Sequence, residues 1–88
     1  MEKASVLGIG RLGLCFALTL ERGGYDVVGS DIREDYVNSI NDRSLISYEP
    51  NVVKYLSEAK NFRATINLKE AVEILFEAEL LSYYEKNN

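Results

Sequence analysis

Three glycines and one aspartate carry the most readable chemistry in these 88 residues. Gly8, Gly10 and Gly13 fall in the run Gly8-Ile9-Gly10-Arg11-Leu12-Gly13, and Asp31 stands 18 residues beyond Gly13. Six glycines in a chain this long can produce such a triplet by accident, so its meaning rests on context. Here an apolar run precedes it, a helical pattern follows, and a second apolar run ends at the acid. In that setting each position has a job. Gly8 permits a tight turn after the strand, and Gly10 has no side chain to keep a pyrophosphate off the backbone. Gly13 lets the helix lie close to the sheet. The helix amino terminus offers unpaired N–H groups and a positive dipole end, so Ile9, Arg11 and Leu12 complete a cradle for phosphates. Asp31 is placed to accept hydrogen bonds from the ribose hydroxyls of an adenosine, which predicts NAD as cofactor. Asp31 and Glu34 also have the spacing of a capping box, and the two roles are compatible. Arg33 has two open readings: a cation for adenine or a 2′-phosphate, or a solvated helix residue. Arg11 in a first helical turn opposes the helix dipole by some 0.3–1 kcal/mol, a cost that a phosphate would offset. Plain solvent exposure is the other reading of Arg11.

Other chemistries are excluded by composition. The chain has no histidine and one cysteine, which removes the usual zinc sites, Ser-His or Cys-His nucleophiles, and any internal disulfide. Cys15 reads as a small core residue. Ten basic against fourteen acidic residues give a net charge of −4, without the basic face that nucleic acid or an anionic membrane would require. Glu73, Glu77, Glu79 and Glu85 read as a solvated face with no general acid-base pair, and neither a catalytic residue nor a metal site is expected. The amino terminus lacks a signal-peptide pattern, and the longest apolar run, Leu14 to Leu18, is far too short to span a bilayer. A cytoplasmic protein is the expectation.

The elements that must position these groups follow from periodicity. Residues 4–8 and 26–31 read as buried parallel strands, and residues 62–66 as a third, shorter one. Leu12, Phe16 and Leu20 recur every four residues, widened by Leu14, Cys15 and Leu18, and Gly23-Gly24 stops that helix. Asp31 opens a short helix with Tyr36, Val37 and Ile40 on one face. Residues 41–44 form a loop. Pro50 suits the first position of a helix that uses Val52, Val53 and Leu56 and ends near Asn61, with Tyr48 and Glu49 packing and capping before it. Asn67 is a further cap, and from Leu68 to Lys86 the spacing of Val72, Leu75, Phe76, Leu80 and Tyr83 predicts one long helix. The fold expected is α/β: a Rossmann-like half of three parallel strands in order 3-2-1, covered by helices, with a long C-terminal helix.

Segment by segment, the chain resembles the NAD-binding domain of the UDP-glucose/GDP-mannose dehydrogenase family. The resemblance rests on Val6-Leu7-Gly8-Ile9-Gly10-Arg11-Leu12-Gly13-Leu14, on Tyr25 to Ile32, on Ser47-Tyr48-Glu49-Pro50, and on Phe62-Arg63-Ala64-Thr65 followed by Leu68 to Val72. It covers about residues 3–73. It implies NAD-dependent oxidation of the C6 alcohol of a nucleotide sugar to a carboxylate through an aldehyde, with a cysteine in a later domain capturing the aldehyde. Arg11 stands where the family often has an aromatic residue, and Cys15 where it often has proline. Cys15 does not match the catalytic cysteine. Residues 74–88 read as helix where the family runs into a fourth strand, so residues 1–88 are expected to be a partial dinucleotide-binding domain with the substrate domain absent. That implies an inactive chain holding the ADP part of NAD, with a nucleotide sugar as partner of the longer protein and homo-oligomerisation left open. Two alternatives stand beside it: a non-catalytic nucleotide- or partner-binding module, and a piece of another NAD-dependent dehydrogenase. Tyr48-Glu49-Pro50 followed by Phe62 to Thr65 argues against the latter.

Overall fold

The strands are short and β-branched or small, and each is separated from the next by helix-forming sequence long enough for a crossover, which dictates parallel pairing. In the computed structural model, which describes residues 1–75, β1 (Lys3–Leu7), β2 (Asp26–Ser30) and β3 (Phe62–Thr65) form one parallel sheet with β2 in the middle. Lys3 pairs with Asp26 and Leu7 with Ser30, while Val27 pairs with Phe62 and Ser30 with Thr65. This is the expected 3-2-1 order. Helices α1 (Arg11–Arg22), α2 (Glu34–Asn41) and α3 (Val52–Glu58) bury Leu14, Leu18, Val37, Ile40 and Leu56 in one cluster with Val27, Phe62 and Ala64 of the sheet. Strand residues of the opposite parity face the other side. There Arg63 and Thr65 both donate to the Glu70 carboxylate, within helical residues 68–75, and Ala71 is fully buried. Asn67 caps that helix through its side-chain oxygen, which accepts the Glu70 N–H at 3.2 Å. The expected continuation of the helix, with Phe76, Leu80, Tyr83 and Tyr84, lies outside the described residues.

Local expectations are corrected in three places. The buried stripe of α1 is Leu14, Ala17 and Leu18, whereas Leu12 and Phe16 are exposed. The close approach of Gly13 to the preceding turn sets the helix rotation and turns Leu12 and Phe16 away from the sheet. Asp31 does not cap α2. Arg33 holds the N-cap position without a side-chain bond, and the Asp31 carboxylate instead accepts the Arg33 N–H at 3.0 Å, closing a turn two residues on. Pro50 is not in a helix: it sits in a turn ahead of Asn51, which adopts a left-handed φ of 70° as the N-cap of α3. That helix ends at Glu58, short of Asn61.

Candidate dinucleotide site

The glycine turn is built from β1 outward. The N–H groups of Gly8 and Ile9 both donate to the Ser30 carbonyl, at 2.8 and 3.2 Å, which ties the turn to the end of β2. Gly8 has a φ of +93°, which a side chain would strain. A Cβ at Gly13 would lie 2.0 Å from the Gly8 carbonyl oxygen, so only glycine allows α1 to start there. At Gly10 the opposite holds. Its nearest neighbour would be an Arg33 Nη2 at 3.9 Å, so no packing within the described residues requires glycine there. An unfilled approach to the backbone at a helix amino terminus is what a pyrophosphate uses. The residues present therefore fit NAD.

Ile9, expected beside the phosphates, turns its side chain into the core. Its side chain is fully buried, its N–H is taken by Ser30, and its carbonyl accepts the Tyr36 hydroxyl. It anchors the turn in the core. Gly29 makes room for it, since a Cβ there would lie 2.5 Å from Ile9 Cγ2. Burial raises the pKa of Tyr36 above its ordinary value, which keeps the hydroxyl a donor. The sequence alone does not mark Gly29 or Tyr36 as part of the site. Both signals were present, a glycine inside a strand and a hydroxyl on an apolar helix face, but their meaning depends on what lies opposite.

Asp31 and Arg33 form one unit. Arg33 Nε donates to Oδ1 at 2.9 Å and Nη2 to Oδ2 at 3.1 Å, while the guanidinium lies 4.1 Å over the Tyr36 ring. Arg33 beside it holds the Asp31 carboxyl below the usual carboxylate range. Arg33 is therefore not a merely solvated residue. Arg11 and Leu12 are exposed at the start of α1, and Arg11 pairs with Glu49. Glu49 thus holds a site cation, and its side chain does not cap α3. Two clefts flank the turn. One, of about 260 Å³, lies at the carboxyl ends of the strands between Gly8, Asp31, Ile32, Ile66 and Leu68. Its wall is largely apolar, with the Asp31 carboxylate at its edge, a lining that suits a flat aromatic base beside a polar group. The other, of about 360 Å³, is lined by Arg11, Arg33, Tyr36, Tyr48 and Glu49.

A model of the UDP-glucose/GDP-mannose dehydrogenase family's NAD binding domain matches residues 2–80. The chain belongs to this family. Among its curated relatives, the UDP-N-acetyl-D-mannosamine dehydrogenase of Methanococcus maripaludis is 38% identical over 74 residues, covering 81% of this chain and 17% of the relative. The enzyme of the same name from Pyrococcus horikoshii is 39% identical over 56 residues, covering 64% and 13%. The chain thus spans less than a fifth of the relatives it matches. Solved structures agree. The UDP-glucose dehydrogenase of Pyrobaculum islandicum superposes with a TM-score of 0.76 at 29% identity, over 82% of this chain and 17% of that one. The GDP-mannose dehydrogenase of Pseudomonas aeruginosa gives 0.73 at 27% identity over the same shares. The family is one of NAD-dependent nucleotide-sugar dehydrogenases, so the glycine turn and Asp31 lie within an NAD-binding domain of that family. Among the described residues no helix is long and apolar enough to cross a membrane, and no cluster of side chains could hold a metal.

Proposed function

We propose that this chain holds the ADP half of NAD within an enzyme that oxidises the C6 alcohol of a nucleotide sugar to the carboxylate. Bound there, NAD would supply the hydride acceptor. Gly10 and the first turn of α1 would receive the pyrophosphate, and Asp31 the adenosine ribose. Ile32, Ile66 and Leu68 would flank the base. The observation that carries the reading is the contrast between Gly13, which packing demands, and Gly10, whose open approach at the α1 amino terminus leaves room for a ligand. The name shared by the curated relatives makes UDP-N-acetylmannosamine the first sugar nucleotide to assay, ahead of UDP-glucose and GDP-mannose. The 88 residues by themselves bind NAD weakly and turn over none of these sugars, because their one cysteine packs against the core and supplies no nucleophile. Titration of the labelled chain with NAD, followed by NMR, should shift the amides of residues 8–13 and 31–33. Incubation with NAD and each sugar nucleotide should produce no reduced cofactor. Sustained turnover that disappears in Gly10→Val would overturn the inactive reading, and an unperturbed spectrum would overturn the cofactor site.

A further inference from the structure

We infer that Arg33 makes the ribose subsite tolerant of a 2′-phosphate, so that this chain accepts NADP with an affinity close to that for NAD. The inference rests on the dinucleotide reading above. A lone carboxylate at the end of the second strand would repel a 2′-phosphate, by roughly tenfold or more in affinity for unit charges about 4 Å apart. Asp31 is not alone. Both of its oxygens accept from Arg33, and the two side chains differ sharply in exposure: 10% for Asp31 against 58% for Arg33. The end of β2 therefore presents both groups, the carboxylate to the cleft of about 260 Å³ and the more exposed guanidinium to the cleft of about 360 Å³.

Arg33 is also held in place. Tyr36 lies under its plane at 4.1 Å, and Nη2 is 3.9 Å from the position a Gly10 Cβ would take, which puts the cation at the mouth of the phosphate turn. Nε and Nη2 are engaged by Asp31, and among the described residues no acceptor meets Nη1. A guanidinium has five N–H donors in a fixed fork, so donors remain for a phosphate without releasing the carboxylate. The cleft of about 360 Å³ beside it has room for that group and carries a second guanidinium, Arg11, 80% exposed. Arg33 acts here as a specificity-determining residue. The chain's net charge of −4 gives no general attraction for anions, so the effect is local.

Dissociation constants for NAD and for NADP, measured by NMR titration of the whole chain, test this. The unmodified chain should bind the two within about threefold of one another. Arg33→Ala should move the ratio beyond about tenfold in favour of NAD, and Asp31→Asn should move it toward NADP. Arg33→Gln keeps most of the stem and a donor for Asp31 without the charge, so it should give the same ratio as Arg33→Ala if the latter folds poorly. A purely structural role for Arg33 would weaken both nucleotides together and leave the ratio unmoved. That result, or tenfold discrimination against NADP by the unmodified chain, would overturn the inference. Failure to bind either nucleotide would instead overturn the dinucleotide reading on which it stands.

Discussion

Gly10 and Gly13 are three residues apart and are glycine for opposite reasons. At Gly13 the added Cβ of Gly13→Ala meets backbone 2.0 Å away, so α1 must shift. Overpacking of this kind costs about 1–3 kcal/mol or more, and a fall in melting temperature followed by circular dichroism checks it. Gly10→Val should leave the melting curve and helix content nearly unchanged while abolishing NAD binding in a calorimetric titration. Asp31 and Glu70 contribute to the acid limb of stability, since neighbouring arginines hold both carboxyls low. The folded chain then binds fewer protons than the unfolded chain in acid. The Asp31 contribution is complete above the unfolded value of about 3.9 and is lost as pH falls through the lower folded value. Because the Arg33 partner is more than half exposed, the effect is below about 1 kcal/mol. Melting temperatures at about pH 7 and about pH 3 should converge in Asp31→Asn relative to the unmodified chain. The glycine spacing and the acid were legible in the sequence because local backbone geometry demands them. The Asp31–Arg33 clamp was not, since two residues apart they serve equally as cap and solvated helix residue until the turn is drawn.

Elements were legible in kind and order, less so in facing. All three strands and their parallel order follow from apolar runs separated by helical sequence. The facing of α1 did not follow, because Leu12, Phe16 and Leu20 match a helical period as well as Leu14 and Leu18 do. The close approach of Gly13 to the Gly8 carbonyl and the packing of Leu14, Ala17 and Leu18 fix which stripe faces the sheet. Leu18→Ala should therefore cost about 2–5 kcal/mol, as for other buried leucines. Leu12→Ala, at a position 83% exposed, should cost within about 0.5 kcal/mol. Urea midpoints of the two variants make the comparison directly. Arg43 shows the same limit. The sequence places it in a polar loop, yet at a φ of 61° it donates to the carbonyls of Ile40, Ala59 and Phe62 and joins the ends of α2 and α3 to the start of β3. No periodicity encodes such a contact, since its partners are backbone oxygens.

Across the whole molecule, Ile9 is one of the residues that tie the glycine turn to the main core. Its side chain lies within the helix-covered cluster while its carbonyl faces the Tyr36 hydroxyl beside Arg33. A nucleotide that binds the folded chain and not the unfolded one stabilises the fold by mass action. For a dissociation constant near 1 mM, about 10 mM NAD stabilises the folded state by roughly 1.4 kcal/mol. For a chain of this size that raises the melting temperature by some 6–11 °C, with no rise in Gly10→Val. Differential scanning fluorimetry reads it. The family and its cofactor class were legible from segment order, because a phosphate turn, an acid and a crossover must occur in that sequence to work. The tie between turn and core was not, since it depends on Gly29 lying under Ile9 across two strands.

The double acceptance by the Ser30 carbonyl has one more consequence, in the currency of proton exchange with solvent. Gly8 and Ile9 give their N–H groups to that oxygen, and the hydrogen bonds of α1 begin with Leu14 donating to Gly10. The amides of Gly10, Arg11, Leu12 and Gly13 precede the first of these bonds and have no helical partner. In deuterated water this stretch should exchange quickly between slower neighbours on both sides, a short bright window in an otherwise shielded segment. Any anion that docks against those amides would close the window, so the turn reports its own occupancy without a label.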